Sequence, residues 1–193
     1  LSSCFLMAVP DCVYGEDGVF VYADCAAVPY PTSTQLANIA ISAAHFSRDI
    51  LNIEPRVAML SFSTRGSSSS RWVEKIKEAV EIANSKDSGF LIEGELQADA
   101  ALVPKVAERK IKGSKVAGRA NVLIFPSLDA GNICYKLIQR LAKARAVGPI
   151  ILGTVQPCSD LSRGCEVEDV IDCAVVTAVR AQKKVQQAEA NFS

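Results

Sequence analysis

Short runs rich in Val, Ile, Leu and Phe alternate along the chain with longer stretches whose apolar positions recur at helical spacing. That alternation predicts an α/β protein, with a mixed, largely parallel sheet flanked by helices. Strands are expected at residues 5–9 and 19–23, joined by the turn Tyr14-Gly15-Glu16-Asp17-Gly18. Thr32 follows the Pro29/Pro31 break and suits the cap of a helix running to about residue 49, with Leu36, Ile39 and Ala40 on one face. A strand at 56–62, apolar through Val57-Ala58-Met59-Leu60, empties into a serine-rich loop, and a helix begins near Arg71. Next come a short strand at 90–92, a helix over 98–109 in which Pro104 marks a first turn or a kink, and a buried strand at 121–125. An amphipathic helix over 129–146 places Ile133, Leu137, Ile138 and Leu141 at helical spacing. A strand at 149–152 and a final helix over 166–188 close the pattern, the helix with Val167, Ile171, Ala174, Val175 and Ala178 as its expected buried stripe. Residues 1–152 therefore read as a central α/β domain, and 153–193 as a loop and helix free to pack elsewhere.

The chain is 49% apolar and 22% charged, which is enough for a sizeable core. Its 21 basic and 21 acidic residues cancel, and no basic stripe stands out, which argues against nucleic acid as a partner. A small anion is still within reach of two or three local arginines. No apolar run approaches the roughly 20 residues that span a bilayer. The opening Leu1-Ser2-Ser3-Cys4-Phe5 lacks an initiator Met and a basic signal region, and reads as a strand entered in mid-protein. Seven cysteines at irregular spacing, with no C-x-x-C pair and one histidine, point to reduced thiols in a cytoplasmic setting and not to structural zinc.

Candidate chemistry gathers before the final helix. Ser162, Arg163 and Gly164 precede a helix start, where free N–H groups and the dipole favour an anion. Arg163 adds a planar donor fork suited to phosphate, and Ser162 a hydroxyl able to donate to a carbonyl oxygen as charge develops there. Asp169 lies one turn into the helix. Acidic residues in a first turn also stabilise any helix, and Glu168 falls at the capping-box position if Cys165 is the cap. Cys165 beside Arg163 invites a nucleophile reading, but that needs a base, and His45 sits in a helical run. The loop 61–70 resembles a phosphate loop in composition and lacks its spacing, so a structural turn fits better.

The stretches Val9-Pro10-Asp11-Cys12, Tyr22-Ala23-Asp24-Cys25-Ala26, 55–64, 94–101, Ala130-Gly131-Asn132-Ile133-Cys134-Tyr135-Lys136 and Asp160-Leu161-Ser162-Arg163-Gly164, in their order and spacing, resemble the phosphate acetyl/butyryltransferase family in its acetyltransferase branch, in which the loop 61–70 would line one edge of a coenzyme A site. The resemblance implies the C-terminal portion of a two-domain fold like that of isocitrate and isopropylmalate dehydrogenases. Residues 153–193 would then return to an N-terminal domain that supplies further arginines. It implies reversible acetyl transfer between acetyl phosphate and coenzyme A, with phosphate and acetyl-CoA as the other ligands, no permanently bound cofactor, no metal, and a homodimer. Ser162, Arg163 and Asp169 correspond to the family's catalytic set, and Lys110, Asn132 and Arg140 to substrate-binding positions. An exposed carboxylate of pKa ~4 is a poor base for a thiol, so the role given to Asp169 calls for burial. The same resemblance admits a non-catalytic acetyl-CoA-sensing domain fused to a malic enzyme.

Overall fold

The structure is a computed structural model that describes residues 1–86 and 89–190. Its strands are β1 (Ser2–Ala8), β2 (Val19–Ala23), β3 (Arg56–Leu60), β4 (Leu91–Leu96), β5 (Val122–Ile124), β6 (Arg145–Leu152) and β7 (Cys158–Ser159). Its helices are α1 (Ser33–Leu51), α2 (Arg71–Ser85), α3 (Ala98–Leu102), α4 (Pro104–Lys110), α5 (Leu128–Leu141) and α6 (Val167–Ala190).

The strands form one sheet in the order β4-β3-β5-β2-β1-β6-β7. β4, β3, β5 and β2 run parallel. β1 reverses against both β2 and β6, and β7 reverses against β6. The sheet is therefore mixed as expected, but its pairings divide evenly between parallel and antiparallel, because the hairpins β1–β2 and β6–β7 build one flank. β2, β3, β4, β5 and β6 all point their carboxyl ends to the same edge.

Alternating side chains bury both faces. Val57, Met59, Val122 and Ile124 join Leu36, Ala40 and Ile76 beneath α1 and α2. Ala58, Leu60, Leu123 and Phe125 join Phe5, Tyr22 and Tyr135 beneath α3, α4 and α5. Thr32 caps α1 as expected, through a capping box in which Thr32 Oγ1 accepts from the Gln35 amide (3.2 Å) and Gln35 Oε1 from the Thr32 amide (2.8 Å). Pro104 opens a helix of its own, so the expected 98–109 helix is two, parted at Val103. Gly131 lets α5 reach the end of β2, since a Cβ there would lie 2.4 Å from the Asp24 carbonyl oxygen.

Two expectations about the last third are corrected. The helix expected over 129–146 stops at Leu141, with Lys143 in the left-handed region (φ 52°), and Arg145 and Ala146 already belong to β6. The run Leu-Ala-Lys-Ala-Arg-Ala has high helix propensity, which pairing with Ala8 and Met7 of β1 overrides. The expected buried stripe of α6 faces outward, with Val167 69%, Ile171 54% and Val175 56% exposed. The face turned to the sheet carries Cys173, Val176 and Thr177 instead. On α5, likewise, Ile133, Leu137 and Leu141 are exposed while Gly131 and Tyr135 are buried. Both helices are apolar around more than one face, so periodicity alone does not choose the inner one. Among the described residues no helix is long and apolar enough to cross a membrane.

Candidate active site

The loop bearing Ser162 and Arg163 is placed by β7 and α6. Ser159 pairs with Ile150, and the Asp160 amide donates to the Pro149 carbonyl (2.9 Å), which lays the chain along β6 toward its amino end. α6 then runs back up β6. Arg145 grips Asp172 with Nε and with Nη2 (2.8 Å), while Arg180 donates to the Ile151 and Cys158 carbonyls (2.8 and 3.0 Å). The helix is thus fastened at both ends of the strand, and its amino terminus projects past Arg145.

Within the loop, Ser162 Oγ accepts from the Gly164 amide (3.3 Å) and the Ser162 carbonyl from the Cys165 amide (3.0 Å). The turn therefore carries the hydroxyl and the guanidinium together. Arg163 is exposed and makes no hydrogen bond or ion pair among the described residues, so its donors are open to an anion. Asp169 is only partly buried, and its Oδ2 accepts from the Glu166 amide (3.0 Å). The capping-box geometry expected of Glu168 thus belongs to Asp169, one step along, because the first helical residue is Val167. The Asp169 carboxylate keeps one oxygen for other work.

The six expected site residues divide between the two ends of the sheet. Arg140 closes α5, next to Lys143 and Arg145 at the amino end of β6, and like Arg163 has no partner among the described residues. Asn132 lies at the other end of α5 and donates its amide to the Cys25 carbonyl (3.0 Å). Lys110 lies near the carboxyl end of β4, held by Asp99 Oδ2 (2.9 Å) and Gln97 Oε1 (3.0 Å). β4 and β7 are the two sheet edges, so Lys110 and Ser162 stand about six strand spacings apart, roughly 29 Å. Their side chains cannot grip the same small group from one chain.

The serine-rich loop is a structural turn. Buried Glu95 accepts from the Ser63 hydroxyl (3.0 Å) and the Gly66 amide (2.7 Å), while Ser67 and Ser63 hydroxyls take the Thr64 and Ser68 amides (3.0 and 3.1 Å). The amides of residues 63 to 68 are thereby spent on the chain's own oxygens. Cys165 makes no hydrogen bond to His45, whose Nδ1 meets Asp49 (3.2 Å) and Arg48 (3.1 Å). Sequence reasoning missed Arg145, Asp172, Glu95 and the buried Asp24, whose partners are remote along the chain.

The family profile described as phosphate acetyl/butaryl transferase matches residues 1–178. The phosphate acetyltransferase of Thermoanaerobacterium thermosaccharolyticum is 57% identical over 182 residues, covering 94% of this chain and 56% of its own length. That of Clostridium acetobutylicum is 52% identical over 185 residues, covering 96% and 56%. A phosphotransacetylase from Streptococcus pyogenes superposes with a TM-score of 0.86 at 43% identity, over 94% of this chain and 54% of that one. The EutD phosphotransacetylase of Staphylococcus aureus gives 0.84 at 45% identity, over 93% and 54%. The chain spans about half the length of the curated relatives it matches. A profile match over nearly the whole chain, with relatives above half identity throughout it, places the chain in the phosphate acetyl/butaryl transferase family.

Proposed function

We propose that this chain forms one wall of a phosphate acetyltransferase, which moves an acetyl group between acetyl phosphate and coenzyme A. The observation that carries this reading is the open Arg163 guanidinium beside the Ser162 hydroxyl at the entrance of α6, in a chain 57% identical to a phosphate acetyltransferase. In the forward direction the coenzyme A thiol loses its proton to the free oxygen of Asp169. The sulfur bonds to the acetyl carbon, the carbon–oxygen bond to phosphate breaks, and inorganic phosphate leaves on Arg163. Ser162 donates to the carbonyl oxygen while it carries charge. The transfer is direct, within a ternary complex, and requires neither an acyl-enzyme nor a bound metal. Arg140 supplies a second cation at the same end. Lys110 and Asn132 serve a remote part of coenzyme A, and a substrate anion at Lys110 must displace Asp99.

The outward stripes of α5 and α6 support a second domain, of the isocitrate and isopropylmalate dehydrogenase-like arrangement, to which residues 153–193 return. Such a cover would bury Asp169 and give it the surroundings that a base for a thiol needs. We place the assembled enzyme in the cytoplasm as a homodimer.

The test joins this chain behind the preceding part of the Thermoanaerobacterium relative and follows thioester formation from acetyl phosphate and coenzyme A. Activity in the chimera, falling on the order of 100-fold with Ser162→Ala, is expected. An active chimera indifferent to Ser162→Ala would remove the serine from the mechanism, and a folded but inactive chimera would remove the transferase reading.

A further inference from the structure

At the far end of α6 from Arg163 lies a groove of about 320 Å³ that the transfer chemistry does not use. Its walls are α1, α6 and residues 153–157. Three cations line it: Arg180, Lys183 and Lys184. None has a carboxylate partner among the described residues. Arg180, half-buried, donates only to the carbonyls of Ile151 and Cys158, which leaves further N–H donors. Burial lowers its pKa from the ordinary value, but a guanidinium stays charged. Lys184 donates to the Val155 carbonyl and to Gln156 Oε1 (3.3 Å). Lys183 has no hydrogen bond or ion pair among the described residues. Among the described residues the acid in the lining is Asp49, already engaged by Arg48 Nε (2.8 Å) and by His45. Uncompensated positive charge therefore fills a concave, partly apolar setting, which focuses the field on whatever enters.

We propose that this groove is a second ligand site, for a small phosphate-bearing anion, separate from the Ser162–Arg163 loop. Arg180 lies eleven helical steps beyond Asp169, about 16 Å along α6, so one small ligand cannot occupy both places. At roughly 30 Å³ per water, the groove holds about ten waters, which is room for an anion of the size of pyrophosphate. The Ser42 hydroxyl and the Thr154 side chain add neutral donors to the lining.

His45, the single histidine of the chain, lines the groove and reports on it. Its imidazole resonances can be followed by proton NMR as pH is varied, with and without inorganic pyrophosphate, alongside calorimetric titration. The groups facing it are Asp49 and Arg48 on its own helix, the Phe90 ring, and the α6 cations across the groove. One-site binding is expected, with a displacement of the His45 ring resonances, because the imidazole lines the groove that the anion enters. Lys183→Gln and Arg180→Gln should each weaken binding by about tenfold, the loss of one charge-assisted contact. Lys183 is partly exposed and unpartnered, so its variant keeps the test open if Arg180→Gln does not fold. Arg163→Gln should leave the His45 response intact. An unmoved His45, binding indifferent to Lys183→Gln, or binding abolished by Arg163→Gln would each overturn the proposal; the last would assign the anion to the Ser162 loop.

Discussion

Asp24 gives the sharpest stability prediction. It is buried at the end of β2, where its Oδ1 accepts from the amides of Ala26 and Ala27 (2.9 Å each) and from the Ser3 hydroxyl, and its Oδ2 from the Ser3 amide (3.2 Å). One carboxylate thus sews the first residues of β1 to the loop that follows β2. Asp24→Ala removes every acceptor at once. Ser3 is fully buried, so its hydroxyl is stranded, at about 1–3 kcal/mol. The Ser3 and Ala27 amides each lose a hydrogen bond worth about 1 kcal/mol, while the Ala26 amide keeps Ser3 Oγ as an acceptor (2.9 Å). The sum is about 3–5 kcal/mol, a large share of the ~5–15 kcal/mol that holds a domain. Asp24→Asn keeps one acceptor but sets an amide NH₂ against these donors, and should fall between the two. Urea unfolding, read by circular dichroism and by the single tryptophan, Trp72, should show the midpoint move by about 2 M for alanine at unchanged slope. An Asp24→Ala midpoint within about 0.3 M of the parent would refute the argument that this carboxylate is a structural hub.

Three further outcomes are expected. Asp172→Ala frees an exposed Arg145, so stability should fall by no more than about 1 kcal/mol, while amide exchange speeds up over residues 167–173; unchanged exchange there would show that the fork does not hold the start of α6. Lys110, with help from the Ala100 amide against slight burial, holds the Asp99 carboxyl below its ordinary range. A depressed carboxylate stabilises the fold above the unfolded value of ~3.9 and loses that contribution as pH falls through the folded value. Lys110→Ala should raise the Asp99 pKa in a carbon-13 carboxyl titration, and an unmoved titration would break the assignment. Burial raises the thiol pKa of Cys4 and of Cys25, so alkylation near neutral pH should label exposed Cys158 first and reach these two only on unfolding; early labelling of Cys25 by peptide mapping would contradict its packing.

The elements legible in the sequence are those whose signal is local. β2 has its expected bounds, and Thr32 with Gln35 fixes the start of α1 within four residues of chain. β4 was harder, because Glu93, Gly94 and Glu95 interrupt its apolar run. Their justification is tertiary: Glu95 is satisfied by Ser63 and Gly66, and Glu93 by Arg65 (3.0 Å) and Ser114 (2.7 Å). The same holds at the candidate site. The grouping of Ser162, Arg163 and Asp169 is a matter of spacing and could be read directly. The Arg145–Asp172 fork joins residues 27 apart and could not. Nor could periodicity say that Lys110 and Ser162 flank opposite edges, since strand order is decided by packing and not by sequence order.

The two edges of the sheet also govern how the chain meets its neighbours. An open edge strand is a template for adding another strand, and proteins blunt such edges with shortness or charge. Here β7 offers two residues only, with α6 packed beside it, and β4 places Glu93 and Glu95 around a glycine. Strand-by-strand growth into a continuous sheet, and the fibrous aggregation that begins that way, is disfavoured at both margins. Association is left to helical surfaces, whose side chains, unlike a backbone ladder, can discriminate one partner from another.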